Sequence, residues 1–350
     1  MPRSFFLHAR VFVFAGIAFA IPGLETAWAQ TVPHVVVAGP ATGRHAQVLP
    51  AIVAGARRGS AGTDVRISDV DDGCDAARAQ GAAEVIAAMK PDLVIGHPCP
   101  AAAIAAARVY AQHGVVFIAL GVRHPALTEK RAGQTIFRWA GRDDRQGAAA
   151  AAELAALAPG GEIAIVQDRT AYARGLTAAV TAALAARNLP APTVIPIVAG
   201  RRDYDAELAR LTASPPQAIF FAGYPSEAAV VLRELRKAKL GAALVASDAN
   251  ATEEFAQTVA AAGGSQGAVK VMVHAAGSGG LGADALDDAA ARAVGAWRGA
   301  HETGDAVRAL GATEGNRATA FDEKGDARID SFTAVPLVAG RWSGSATASE

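Results

Sequence analysis

Few residues in this chain have the types and spacing to carry chemistry. Cys74 and Cys99 are its two cysteines, and His97 stands two positions before the second. Two thiolates and one imidazole fall one ligand short of a tetrahedral zinc site, so a disulfide is the stronger reading and a metal centre the weaker. Gly277-Ser278-Gly279-Gly280-Leu281-Gly282 fits G-x-G-x-x-G, the loop whose backbone N–H groups cradle a dinucleotide pyrophosphate. That loop opens the first βαβ unit, with a second parallel strand ending in an acid about 20 residues on. Here a helical pattern and the charged stretch Glu302 to Asp305 follow, which points to an ordinary loop. Gly263-Gly264-Ser265-Gln266-Gly267 fits the G-x-S-x-G nucleophile elbow, which needs a strand entering and a helix leaving. The apolar patterns run the other way, as at a helix C-cap and turn. Gly39-Pro40-Ala41-Thr42-Gly43 lacks the Gly-Lys-Ser/Thr ending of a phosphate loop. No HExxH, carboxylate pair or convincing triad is found, so no enzyme, no catalytic residue and no cofactor is expected.

The elements that must position these residues begin after an export signal. Arg3 and Arg10 give the positive start, Val11 to Ala20 the apolar run, and Ala27-Trp28-Ala29 the small-x-small site before Gln30. The apolar run is about half the length that spans a bilayer, and Pro22, Gly23 and Glu25 interrupt it, so cleavage is expected rather than anchoring. The 33 basic and 33 acidic residues balance, which offers nothing to nucleic acid. A mature chain of this length suits two domains or one large one. Outside the cytoplasm two thiols persist as a disulfide, worth about 3 to 4 kcal/mol for a loop of this length.

Short apolar runs alternate with helical patterns. Strands are expected at Val35 to Ala38, Val65 to Val70, Leu93 to Gly96 and Val115 to Leu120, with helices at Gln47 to Arg58, Ala76 to Met89 and Ala101 to Gln112. This is a βαβ series and hence a parallel sheet. A second series has strands at Glu162 to Val166, Thr193 to Ile197, Ala218 to Ala222 and Ala243 to Ala246, and helices at Ala173 to Arg187, Tyr204 to Thr212 and Glu227 to Ala238. Between them Thr135 to Arg145, an extended TIFRW followed by GRDDR, suits a crossing point. A strand at Val269 to His274, a helix at Leu286 to Ala300 and a strand near Phe332 to Val338 come last. The expected fold is α/β, two doubly wound Rossmann-like lobes with a hinge and a cleft at the open sheet ends.

Several stretches in order, VVVAGPATG, DVDDGCDAARAQ, DLVIGHPCPAAAIAAARVYAQHGVVFIAL, IFRWAGRDDRQG, IAIVQDRTAYARGL, RDYDAELARL, FFAGYPSEAAVVLRELRKAKL and FDEKGD, resemble the Leu/Ile/Val-binding proteins of the type I periplasmic binding fold. The resemblance runs through nearly all of 34–342. It implies a signal peptide at 1–29, a first lobe of 30–140 with roughly 268–325, and a second of 141–267 with roughly 326–350. It implies a disulfide between Cys74 and Cys99, in agreement with the redox argument. It also implies a ligand set. Pro100, Gly121 and Arg123 fall on the family's first hydroxyl, carbonyl and threonine sites, so two hydroxyls that hold an amino acid's carboxylate are missing. Pro100 supplies no N–H either, although the helix starting at Ala101 still offers free N–H groups to an anion. Tyr172 and Tyr224 match the family's cleft tyrosines, and Asp248 its ammonium-binding glutamate.

Each assignment has a plainer alternative. The tyrosines could be buried rings with internally satisfied hydroxyls. Asp248 could cap the helix beginning near Thr252. Arg123 could offer a planar fork to a carboxylate or phosphate, or reach Asp248 or another acid and close the cleft by an ion pair. The chain is also one helical hairpin short between His301 and Phe321, which would reshape the pocket. The expectation is a monomeric periplasmic component of an ABC-type importer, delivering a small polar, amino-acid-like or carboxylate-bearing solute to permease and ATPase subunits in the inner membrane. The alternative is a periplasmic sensor or accessory protein whose amino-acid site has diverged.

Overall fold

The computed structural model describes residues 32–262, 268–274, 283–302, 305–311, 320–328 and 332–343. The expected signal peptide, the glycine motifs 263–267 and 277–282, and residues 303–304 and 312–319 of the stretch expected to be one hairpin short lie outside the described residues. Among the described residues no helix is long and apolar enough to cross a membrane.

Strands β1 (His34–Gly39), β2 (Arg66–Asp71), β3 (Leu93–Gly96), β4 (Phe117–Leu120) and β5 (Ile136–Trp139) form a parallel sheet in the order β2-β1-β3-β4-β5. Helices α1 (Val48–Gly59), α2 (Ala76–Ala88) and α3 (Pro100–His113) are its crossovers, and α4 (Ala126–Glu129) is a single turn after β4. The interior strand β1 is buried along its whole length because both faces are covered. Val35 and Val37 pack on the side of Ile52 and Trp297, while Val36 and Ala38 face Ile86 and Tyr110.

The chain then builds a second unit: α5 (Asp143–Leu157), β6 (Ile163–Gln167), α6 (Ala171–Ala185), β7 (Thr193–Pro196), α7 (Asp205–Ala213), β8 (Ala218–Ala222), α8 (Pro225–Lys237), β9 (Ala243–Ala246), α9 (Glu253–Ala261) and β10 (Val269–His274). Helices α10 (Ala283–His301) and α11 (Ala306–Leu310) return to the first sheet, where Leu286, Val294, Trp297 and Leu310 join its core. A Cβ on Gly55 of α1 would lie 2.0 Å from the carbonyl oxygen of Asp287, so the glycine lets α10 lie directly on α1. Strands β11 (Phe332–Val338) and β12 (Arg341–Trp342) complete a seven-stranded sheet, β12-β11-β10-β9-β8-β6-β7, with β11 and β12 antiparallel and the rest parallel.

Two points differ from the expectation. The strand Val269–His274 belongs to the second sheet, not to the first lobe with the rest of 268–325, because Val271 and Met272 fill the core on either face of that sheet. GRDDR is only in part a crossing: Asp143 and Asp144 form the acidic first turn of α5, where carboxylates suit the helix dipole.

The loops leaving the first sheet are fixed by local chemistry. At the end of β3, Gly96 takes φ +123°, and a Cβ there would meet the Ala38 carbonyl oxygen at 1.9 Å. The neighbouring His97 N–H donates to that carbonyl at 2.7 Å. The His97 ring is fully buried between the Asp72 carboxylate, 2.8 Å from Nδ1, and the Tyr110 hydroxyl, 2.9 Å from Nε2. Asp72 also accepts the Cys74 N–H at 2.8 Å. Cys74 and Cys99 are joined as a disulfide with their Cα atoms 5.4 Å apart, so the loops after β2 and β3 are tied where α3 begins. The Cys74→Ala/Cys99→Ala double variant, or reduction of the parent, is expected to lower stability by about 3 to 4 kcal/mol in urea unfolding. An unchanged midpoint would contradict that role.

Candidate ligand-binding site

In open parallel sheets ligands collect at the C-terminal strand ends beside the switch in strand order, which falls between β1 and β3 in the first sheet and between β6 and β8 in the second. The expected ligand residues all follow C-terminal strand ends, those of β3 and β4 in the first sheet and of β6, β8 and β9 in the second. Pro100 and Ala101 open α3 after β3 and are exposed, with Pro100 at the first helical position and Cys99 as N-cap, one residue earlier than expected. Gly121 follows β4 with φ +70°. Arg123 comes two residues later on the same loop.

That loop is held from beneath by Arg138 of β5, which is fully buried. Its guanidinium donates to the carbonyls of Val122 (3.1 Å), His124 (2.8 Å) and Pro125 (3.4 Å) and to the Thr128 hydroxyl. Its Nε donates to Asp326 Oδ1 at 2.8 Å, and Thr128 donates to the same oxygen at 2.7 Å. Asp326 Oδ2 receives Arg142 at 3.3 Å. The backbone joins in: the Arg138 N–H donates to Gly325 O and the Ala327 N–H to Arg138 O.

On the second sheet, Tyr172 lies in the first turn of α6, which Thr170 caps through the Ala173 N–H at 3.1 Å. Tyr224 is the N-cap residue of α8 after β8, and its ring centroid is 5.7 Å from that of Tyr172. Asp248 follows β9 in a short turn, Asp248–Asn250, and is buried. It does not cap the next helix; Thr252 does, accepting the Phe255 N–H. Instead Asp248 Oδ1 accepts the Tyr172 hydroxyl at 2.7 Å and Gln146 Nε2 at 2.5 Å, while the Asp248 N–H donates to Gln146 Oε1 at 3.4 Å. Asp248 Oδ2 pairs with Arg123 Nη1.

Arg123 and Tyr172 thus meet on Asp248, with Tyr224 joined through its ring, while Pro100, Ala101 and Gly121 lie past the C-terminal ends of β3 and β4 in the first sheet. The arginine crosses from one lobe to the other. Its Nε lies 3.7 Å from Asp143 Oδ1, and its guanidinium carbon sits 5.2 Å from the centroid of Phe332 at the start of β11. Asp143, Gln146 and Phe332 were not among the expected site residues. RDDRQG, a helical first turn carrying an acid and then a glutamine, held the available signal for the first two.

The electrostatics follow from burial around opposite charges. Burial disfavours the charge on Arg123, yet Asp248, Tyr172 and Asp143 hold its pKa above the ordinary value. Burial, and then Asp248, raises the Tyr172 hydroxyl well above the phenol range. Burial first, and then the neighbouring Asp168, likewise raises Tyr224. Asp143 is pushed up to about 6, by burial first, with Arg123 and Arg138 opposing and Asp248 and Asp144 reinforcing the rise.

The residues 35–273 match the family model for periplasmic binding proteins. The chain belongs to the periplasmic binding protein family. It is 30% identical over 240 residues to an amino acid binding protein of Pseudomonas aeruginosa, a match covering 66% of this chain and 63% of that one. It is 32% identical over 185 residues to the Leu/Ile/Val-binding protein of Escherichia coli, covering 53% and 50%. The matches therefore span less than two thirds of these curated relatives. In fold it is similar to a leucine binding protein of Thermotoga maritima, with a TM-score of 0.64 at 20% identity, covering 89% of this chain and 97% of that structure. The architecture is the type I periplasmic binding fold of two lobes.

Arg138→Met is expected to destabilise by about 3 to 5 kcal/mol in urea unfolding, because Asp326 stays buried without its main counter-ion. Asp143 keeps its proton in the folded chain up to about pH 6 and loses it near pH 4 when unfolded. The folded state binds more protons in that window, so the stability Asp143 contributes falls as pH rises from about 4 to about 6. Asp143→Asn should flatten that limb of the midpoint-against-pH curve, and an identical slope would rule out this assignment.

Proposed function

We propose that this chain is the periplasmic solute-binding component of an ABC-type importer, binding a small polar organic solute of amino-acid-like or carboxylate-bearing character between its lobes. It acts as a binding protein without catalysis, as a monomer that hands its solute to permease and ATPase subunits in the inner membrane. The carrying observation is the convergence of Arg123 from the first sheet with Asp248, Tyr172 and Asp143 from the second, at the sheet ends where this fold gathers ligands. The names of the relatives, which describe amino acid and Leu/Ile/Val binding, support the same reading.

In this reading the solute stabilises the closed arrangement by touching both lobes at once. Pro100 offers neither hydroxyl nor N–H, so the anion of the solute depends on Arg123 and on the N–H groups of the first turn of α3. The cation depends on Asp248, held in place by Gln146 and Tyr172. A thermal-shift screen of amino acids and other small carboxylates tests the function. A true solute at 100 times its dissociation constant adds about 2.7 kcal/mol of stability, and absence of any shift across such a screen would favour the sensor alternative. With a solute in hand, Tyr172→Phe is expected to weaken binding about tenfold in calorimetric titration, because Asp248 loses one of the two side-chain donors that hold it in place.

A further inference from the structure

The solute-binding reading can be taken further, to the class of solute, through the surroundings of Arg123. Its guanidinium is enclosed by the second lobe. Asp248 pairs with Nη1, Asp143 stands 3.7 Å from Nε, and the guanidinium carbon lies 5.2 Å from the centroid of the Phe332 ring. Tyr172 and Gln146 occupy the other oxygen of Asp248, orienting it. Two carboxylates beside an aromatic face are what recognises a free organic cation. Here the cation arrives on a tether from β4 of the opposite lobe.

The fit is incomplete in an informative way. Arg123 is 9% exposed, yet among the described residues its Nε and Nη2 have no hydrogen-bond partner, and neither has Asp143 Oδ1. Nearby Arg138 spends its donors on three carbonyls, a hydroxyl and a carboxylate. A buried donor without an acceptor is costly, and a purely structural arginine is selected to avoid that cost. The Nε and Nη2 of a guanidinium form the fork that grips a carboxylate with two parallel bonds.

We infer that Arg123 is a built-in occupant of a cation site in the second lobe, and that the solute is a dipolar molecule that exchanges with it. The cationic group of the solute takes the place of the guanidinium against Asp248 and Asp143, and its carboxylate takes the released fork of Arg123. Both halves of the ion pair are then replaced at once. A solute with one charge alone leaves either Asp248 or Arg123 buried without a partner.

Chemical rescue tests this without knowledge of the natural solute. Arg123→Ala leaves the second-lobe pocket vacant, and methylguanidinium chloride at millimolar concentration is expected to raise its unfolding midpoint by about 4 °C over an equal concentration of sodium chloride. The parent, whose pocket is filled by its own side chain, should show no such rise, and Arg123→Ala/Asp248→Asn should lose it. Should Arg123→Ala fail to fold unaided, its refolding yield should recover with methylguanidinium and not with salt. No specific gain in either measurement overturns the inference. The solute screen is independent: a solute that shifts the parent while methylguanidinium leaves Arg123→Ala unchanged would keep the importer reading and discard the built-in occupant. Rescue without any solute hit would do the reverse.

Discussion

A single buried arginine ties together three parts of the chain that are far apart in sequence. Arg138 and Asp326 are both inaccessible to water, and each charge is tolerable only because the other is there and because the remaining donors and lone pairs are used. Through its side chain Arg138 grips the loop 122–125; through its backbone it bridges the turn around Gly325 and Asp326. Asp326 also draws in Arg142, just ahead of α5, so the end of the first sheet, a late returning segment and the start of the second unit share one electrostatic centre. The position of Arg123 in the cleft follows from this. Its loop cannot move independently of the point where the chain passes between lobes.

The second lobe sets its side of the cleft by shorter-range means. The Ser247 hydroxyl and the Asn250 amide both donate to the Gly223 carbonyl at 3.0 Å, which locks the end of β9 to the end of β8. Tyr224 and Asp248, one residue beyond Gly223 and Ser247, are thereby held in a fixed relation. Asp168 plays the matching part after β6, accepting the Thr170 hydroxyl and N–H before that threonine caps α6 and presents Tyr172. The acid at the centre, Asp248, is then oriented by groups from α5 and α6 before any cation reaches it.

Much of this was legible in the sequence because parallel strands buried on both faces are short unbroken apolar runs, and the chain alternates them with helical patterns. The disulfide followed from cysteine count and compartment, and the four residues that meet in the cleft came from matching ordered motifs. What was not legible depended on tertiary choice. Val269–His274 reads as a strand in isolation, and nothing in its residues says which of two sheets it extends. Phe332 is simply the first apolar residue of a strand until its ring is found against Arg123. The alternatives for Arg123 differed only in whether an acid from the other lobe came within reach, a matter of lobe placement that no local pattern encodes.

The two sheets repeat one strand order: β2-β1-β3-β4-β5 in the first corresponds to β7-β6-β8-β9-β10 in the second. In that correspondence β4 matches β9, so Arg123 and Asp248 stand at equivalent places, two or three residues beyond equivalent strands, and meet each other. Were the halves identical chains packed about a twofold axis, a residue at such a place would face its own copy, and any charge there would meet its like. Opposite charges at this point need two copies free to differ. A single chain carrying both halves has that freedom, and a polarised cleft, basic on one wall and acidic on the other, is open to it in a way it is not to a symmetric dimer.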